Sequence, residues 1–289
     1  ATVYRIASIS KPIAATAVLQ LVEAGKVDLD ADVRTYVASF PAKEHVVTAR
    51  RLLSHTAGIR HYRLGEFGSR VRYASIEDAL GVFRADPLLF APGEEFSYSS
   101  YGYNLLGAVV ESASGVPFEE YLRTKIFAPA GMERTGLEFA ERIVTGRAGQ
   151  YVRRSAGEFL NAPYVDLSLK WAGGGMISSA EDLARFHVAL DGGSLLGEAT
   201  RAGMYEPAEL TDGSKTGYGL GWSVRTDSRG RRWISHSGGA TGGTTYLLRE
   251  PATGDAAAIL ANAEDVPGLA RACRRLLSAA KQVEEEDEE

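Results

Sequence analysis

A single cysteine in 289 residues leaves no partner for a disulfide within the chain. That residue, Cys273, falls in the apolar-periodic stretch PGLARACRRLLSAA and reads as a packed helix position. The redox compartment is therefore left open. His55 and His61 stand six residues apart with no cysteine or carboxylate at ligand spacing, which argues against a zinc site and leaves both as loop-packing residues. No apolar run is long enough to cross a membrane, and the given chain carries no targeting segment, so localisation stays unknown. There is no Gly-x-Ser-x-Gly elbow of the α/β-hydrolase kind. Gly173-Gly174-Gly175 is not followed by the Lys-Ser/Thr of a phosphate loop, so no nucleotide cofactor is implied. Excess charge is also scarce. The net charge of −5 comes from the all-acidic end Glu284–Glu289; with those six set aside, 32 basic residues face 31 acidic ones. Such a body gives no footprint for nucleic acid. Residues 283–289 read as an acidic, disordered tail.

What is present is an ordinary globular composition, 45% hydrophobic and 24% charged. The chain opens ATVYRIASISKP, and after Pro12 the residues Ile13, Ala17, Val18, Leu21 and Val22 recur at helical spacing until Gly25. A proline ring clashes with the carbonyl four residues back, here Ser8, so the helix must begin near Ser8. Ser8 then sits at the positive end of the helix with Lys11 one turn on and on the same face, while Ser10 points elsewhere. If one serine is a nucleophile, geometry prefers Ser8. Ser-x-x-Lys is by itself a weak pattern, and Ser278-Ala279-Ala280-Lys281 repeats it on what reads as an ordinary helix surface.

Farther along, helices are expected over 11–24, from Thr48 to Leu53, from Ser75 to Ala85, from Tyr103 to Gly115 and from Pro117 to Ile126. The region to about Tyr164 shows no clear pattern. Ser178/Ser179 caps a further helix to Leu190. Then the period changes to two: GYGLGWSVRTD, RRWISHSGG, TTYLLRE and AAAILANA predict four short strands, with turns at Arg229-Gly230 and Thr253-Gly254, before a last helix from about Val266 to Lys281. Helices first and an antiparallel meander last argue for an α+β chain forming one domain of two lobes. A mainly helical lobe covers about 25–200; residues 1–24 and 201–282 supply the nucleophile helix, the sheet and the terminal helix.

Three stretches stand out together: Ser8-Ile9-Ser10-Lys11, Tyr98-Ser99-Ser100 and His236-Ser237-Gly238-Gly239. Their order and spacing resemble the three motifs of the serine β-lactamase and penicillin-binding-protein superfamily. The flanks LLSHTAGI, APGEEFSYSSYGYNLLG, GGGMISSAEDLARF and GYGLGW resemble its class C-like branch, in the group of the mitochondrial serine β-lactamase-like proteins and bacterial esterase and DD-peptidase relatives. The likeness covers Tyr4 to about Ala263. It implies a β-lactamase/transpeptidase-like fold, an antiparallel sheet flanked by helices plus a helical lobe. It also implies metal-free acyl transfer through Ser8, with Lys11 and Tyr98 as a coupled pair of which either can be the base. The backbone N–H groups of Ser8 and Gly239 would form the oxyanion hole. His236 would meet Tyr98 or a substrate carboxylate, and Ser100, Ser237 and Gly238 would bind substrate, the glycines leaving the strand open to its approach.

Two departures qualify these expectations. Ser100 replaces the usual asparagine, which weakens the expectation of efficient β-lactam hydrolysis. Members of the family also carry a helix and two strands before the nucleophile, whereas seven residues precede Ser8 here; either the sequence is truncated or engineered, or the sheet edge is completed another way, and a missing hairpin is expected to bring lower stability or self-association. The leading expectation is a serine hydrolase acting on a small ester, a peptide or a D-amino-acid peptide. A true β-lactamase, and a non-catalytic scaffold that keeps the fold, stand as alternatives.

Overall fold

The computed structural model describes residues 1–155 and 157–287, the side chains of 281–287 excepted. At its centre lies helix α1 (Ser10–Glu23), buried on every side from Ser10 to Leu19. A helix that is apolar all round belongs inside a core. Packed about it are α2 (Ala49–Leu53), α3 (Ile76–Leu80) and α4 (Ser100–Ser114). Next come α5 (Phe118–Leu122), which widens into a π-turn at Arg123–Phe127, the single turn α6 (Trp171–Gly174) and α7 (Ala180–Asp191). α8 (Glu198–Met204) and α9 (Leu269–Asp287) complete the helices.

The caps follow from side-chain chemistry. Thr48, Ser75, Ser99 and Ser179 each accept a hydrogen bond from the N–H three residues on. Gly115, at φ +78°, ends α4 in the left-handed region that glycine enters without strain.

The strands are β1 (Tyr4–Arg5), β2 (Gly136–Leu137), β3 (Tyr151–Ser155), β4 (Glu158–Asn161) and β5 (Met176–Ser178), then β6 (Ser223–Thr226), β7 (Arg232–Ala240), β8 (Gly243–Glu250) and β9 (Asp255–Ala261). The last four form an antiparallel meander in the order β6-β7-β8-β9. α9 lies against it, with Cys273 and Leu277 packed on Trp233 and Leu248. Burial pushes the Cys273 thiol up to about 11, as suits a packing residue. A small sheet, β1-β5-β2, joins the first residues of the chain to the middle of it, and β3-β4 stands apart as a hairpin.

The four late strands and both turn glycines lie where the alternation placed them. Four features differ. The 75–85 helix shortens to α3 followed by turns, and α8 forms where no helix was expected. The unpatterned middle holds β2, β3 and β4; strands of two to five residues carry too few alternations to be read. The terminal helix runs to Asp287, past the expected stop at Lys281, and takes in acidic residues expected to be a disordered tail; 288 and 289 lie outside the described residues. Among the described residues no helix is long and apolar enough to cross a membrane.

Candidate active site

Ser8 sits in a 3-10 turn, Ala7–Ile9, that feeds directly into α1. Ala7 before it is held at φ +50°. That left-handed conformation costs an alanine roughly 1–2 kcal/mol, and the surroundings enforce it. Upstream, the buried Arg5 donates to both carboxylate oxygens of Glu138, at 2.8 and 2.7 Å, and to the Thr241 carbonyl at 2.7 Å. Downstream, the Ser10 hydroxyl donates to the Ala7 carbonyl at 2.7 Å and accepts from the Met176 N–H at 3.2 Å. Ser10 is thus a brace for the turn, facing away from Ser8. Ser8 itself is half-buried.

Lys11 is fully buried, and its Nζ touches three oxygens: Ser8 Oγ at 3.1 Å, Ser100 Oγ at 2.9 Å and the Gly173 carbonyl. No carboxylate is among these partners. Burial first, and then the charge of Lys170, hold the Lys11 ammonium well below its ordinary range. A neutral amine has two hydrogens and one lone pair. The carbonyl can only accept, and Ser100 takes the second hydrogen, so the lone pair is left for the Ser8 O–H. The arrangement puts an amine nitrogen in hydrogen-bond contact with the Ser8 hydroxyl.

Tyr98 closes the other side of Ser8. Its phenol is hydrogen-bonded to the Ser8 hydroxyl, and Lys11 Nζ stands 4.6 Å from its ring centroid. Burial pushes the phenol above its usual range and the Lys11 ammonium below its own, so of the two Lys11 is the one that burial drives toward its neutral form. The two histidines read as loop packing do more than fill space. Their rings lie 4.3 Å (His55) and 5.6 Å (His61) from that of Tyr98. His55 Nδ1 accepts from the Ser99 N–H and His61 Nδ1 from the Ser100 N–H, each at 3.1 Å. An accepting Nδ1 requires a neutral ring; burial holds His55 well below its ordinary range and His61 down to about 4. Together they anchor the backbone of the tyrosine motif.

The third motif lies on β7. β6 pairs with β7 only as far as Ser235, so from His236 onward that edge of β7 lies open beside the nucleophile turn. A Cβ added to Gly238 would meet Thr245 Oγ1 at 2.2 Å and the Ile6 carbonyl at 2.5 Å, whereas one on Gly239 would point into open space. Gly238 therefore allows β7 to approach the nucleophile turn, and Gly239 stands at the open edge. His236 Nδ1 donates to the Ser237 carbonyl at 2.7 Å, and its Nε2 accepts from the Tyr218 hydroxyl at 2.9 Å. Burial, then the nearby Lys11, bring the imidazole down to about 3, so it is neutral. Its partner is Tyr218 and not Tyr98, whose ring centroid is 6.2 Å away.

A cleft of about 190 Å³ opens here, lined by Tyr98, Tyr218, Ser223, His236 and Ser237. None of these side chains is charged. Ser100 and Gly238, expected to face substrate, are both turned inward: Ser100 is 2% exposed, with its hydroxyl on Lys11 and on the Tyr62 phenol. Tyr218, Tyr62 and the Arg5–Glu138 pair went unread in the sequence. Tyr218 lies in the quoted GYGLGW, but nothing in that string says that the tyrosine reaches His236. Among the described residues no group of three or more His, Cys, Asp or Glu side chains stands together as a metal site.

Comparisons with known proteins place the chain in a family. The Beta-lactamase family model matches residues 1–281. Human "Serine beta-lactamase-like protein LACTB, mitochondrial" is 33% identical over 86% of this chain and 63% of its own length, and the Bacillus subtilis "Penicillin-binding protein 4*" is 30% identical over 86% and 58%. The chain thus spans less than two thirds of the length of these two relatives. Among solved structures, D-amino acid amidase from Ochrobactrum anthropi superposes with a TM-score of 0.83 at 25% identity, covering 98% of this chain and 85% of the amidase. Family model, relatives and fold converge: the chain belongs to the serine β-lactamase and penicillin-binding-protein superfamily.

Proposed function

We propose that this protein is a serine hydrolase that takes an acyl group from an uncharged ester or amide onto Ser8 and passes it to water. The observation that carries the reading is the contact of Ser8 Oγ with a buried Lys11 whose ammonium burial disfavours. Lys11 takes the Ser8 proton as Oγ bonds to the substrate carbonyl carbon. The resulting oxyanion is held by the N–H groups of Ser8 and Gly239, each worth roughly 3–4 kcal/mol at such a site. As the intermediate collapses, the bond to the leaving group breaks. The proton on Lys11 returns to that group through the Tyr98 hydroxyl, which hydrogen-bonds Ser8. Water then attacks the ester on Ser8 with Lys11 again as base, and Ser8 leaves with its proton restored.

The neutral wall around His236 and Tyr218 supports an uncharged substrate over a carboxylate. It disfavours the β-lactamase alternative, as does Ser100 in place of an asparagine. The likeness to an amino acid amidase supports small amino-acid amides and peptides alongside esters.

Intact-mass measurement after exposure to a fluorophosphonate tests the chemistry. A single adduct that vanishes in Ser8→Ala is expected. A folded wild type that takes no adduct would leave the scaffold reading the better one. Paired rates with an ester and its carboxylate-bearing analogue test the substrate class, the neutral member being expected to react at least tenfold faster.

A further inference from the structure

Lys170 is a second lysine that the fold withdraws from water, and nothing in the acyl transfer above uses it. It is 3% exposed, on the 3-10 turn Ser168–Lys170 that runs straight into α6. Its Nζ donates to the Phe67 carbonyl at 2.7 Å and lies 4.0 Å from the Phe67 ring centroid and 5.1 Å from that of Tyr62. Burying an ammonium on a carbonyl and two ring faces costs free energy that a surface lysine avoids. The groups that act on it are Arg5 of β1 and Glu138 just after β2. Toward the cleft, its charge reaches Lys11 of α1 and His61 of the neighbouring loop. Glu138 is the one anion of this set, and it is already bound by Arg5 and Arg147.

Two short paths connect this lysine to the base. Three residues after Lys170 on the same turn, the Gly173 carbonyl accepts from Lys11. Across the loop, the Tyr62 ring lies against Lys170 while its phenol bonds Ser100, whose Oγ is 2.9 Å from Lys11 Nζ. The first route runs along three residues of backbone, the second through one ring contact and side-chain hydrogen bonds.

We propose that Lys170 is a positioning residue for Lys11: it ties the loop bearing Tyr62 and Phe67 against the base, and its charge keeps a second proton off Lys11, leaving the nearer lysine free to act. This rests on the acyl-enzyme reading of Ser8. Burial, then Arg5, bring Lys170 down to about 7, with Glu138 opposing, and Lys170 is itself the second cause of the depressed Lys11. The two lysines titrate as a coupled pair. Below neutrality Lys170 holds its proton and repels one from Lys11, so the acid limb of Ser8 acylation lies lower than burial alone would put it.

The test is the pH dependence of Ser8 labelling by a fluorophosphonate in wild type, Lys170→Gln and Lys170→Met. Glutamine still offers an N–H to the Phe67 carbonyl but carries no charge; methionine offers neither. The acid limb is expected to move up by about one pH unit in both variants, with labelling below it falling about tenfold. An acid limb in Lys170→Gln that superposes on that of wild type overturns the proposal and leaves Lys170 a structural tie. Should neither variant give a cooperative melt, carbon-13 NMR of the seven lysine Cε positions in wild type decides, with Lys11 assigned by Lys11→Met. Two resonances titrating well below the ordinary lysine range and shifting each other support the pair; a second resonance that stays at about 10 refutes it. If wild type fails to label at all, the acyl-enzyme reading fails, and the NMR titration still judges the lysine pair.

Discussion

Lys11 and His236 both lie near Tyr98, 4.6 Å and 6.2 Å from its ring centroid, and burial disfavours the charged form of each. Their partners divide them. Lys11 keeps one hydrogen-bonding position on Ser8, the group we propose reacts. His236 spends both ring nitrogens on fixed neighbours, the Ser237 carbonyl and the Tyr218 hydroxyl. Desolvation decides whether such a group is charged; the hydrogen-bond partners decide whether it can move a proton. Beneath the cleft lies a buried amine in contact with Ser8, the pair to which we assign the proton transfer. His236 belongs to an uncharged frame for β7 and the cleft.

The strongest way to break this comparison is to remove each base in turn. Lys11→Met should cost about 10⁴-fold in ester hydrolysis, measured as kcat/KM, while His236→Gln, which can still accept from Tyr218, should cost less than about tenfold. Equal losses would mean that His236 acts on the reaction. Tyr98→Phe should fall between them, at about 10²-fold, with the loss in kcat.

Stability should fall in acid. His55, His61 and His236 are all depressed below 6.5 in the folded state. The unfolded chain therefore binds more protons below about pH 6.5. The stability held by the neutral rings is lost as pH falls through that value, the fully buried His55 and His236 each contributing up to roughly 1.4 kcal/mol per unit until folded-state titration begins, and the partly exposed His61 less. Thermal melts from pH 7.5 to 4.5 should drop steeply, and His236→Gln should flatten the slope. A pH-independent Tm would contradict the neutral assignments.

The smallest effect expected is structural. Gly238→Ala should destabilise by about 1–3 kcal/mol, because the added methyl meets Thr245 and the Ile6 carbonyl, whereas Gly239→Ala should leave the melt within about 0.5 kcal/mol of wild type. Equal melts would show that β7 does not press on the nucleophile turn as described.

Much of this site was legible because the motif residues are neighbours in sequence. Pro12 placed the helix start, Ser8 and Lys11 are one turn apart, and alternation over 217–263 gave the meander that carries His236. The supporting residues were not legible. Arg5 and Glu138 are 133 positions apart and meet because β1 and β2 flank the three-residue β5. Lys170 and Tyr62 lie in stretches without a period, and nothing local says that their side chains point inward.

By itself the sequence determined the local chemistry: a serine and a lysine on one helical face, a tyrosine before a helix cap, two glycines on a strand. Those features depend on backbone sterics and periodicity over a few residues. The tertiary structure decided which groups are dry and which touch, and hence that the Lys11 ammonium is disfavoured, that Tyr98 keeps its proton, that His236 is a neutral partner of Tyr218 and that Ser100 faces inward. Charge state and hydrogen-bond partner follow from burial and from contacts between distant segments, and neither is written in the order of residues along the chain.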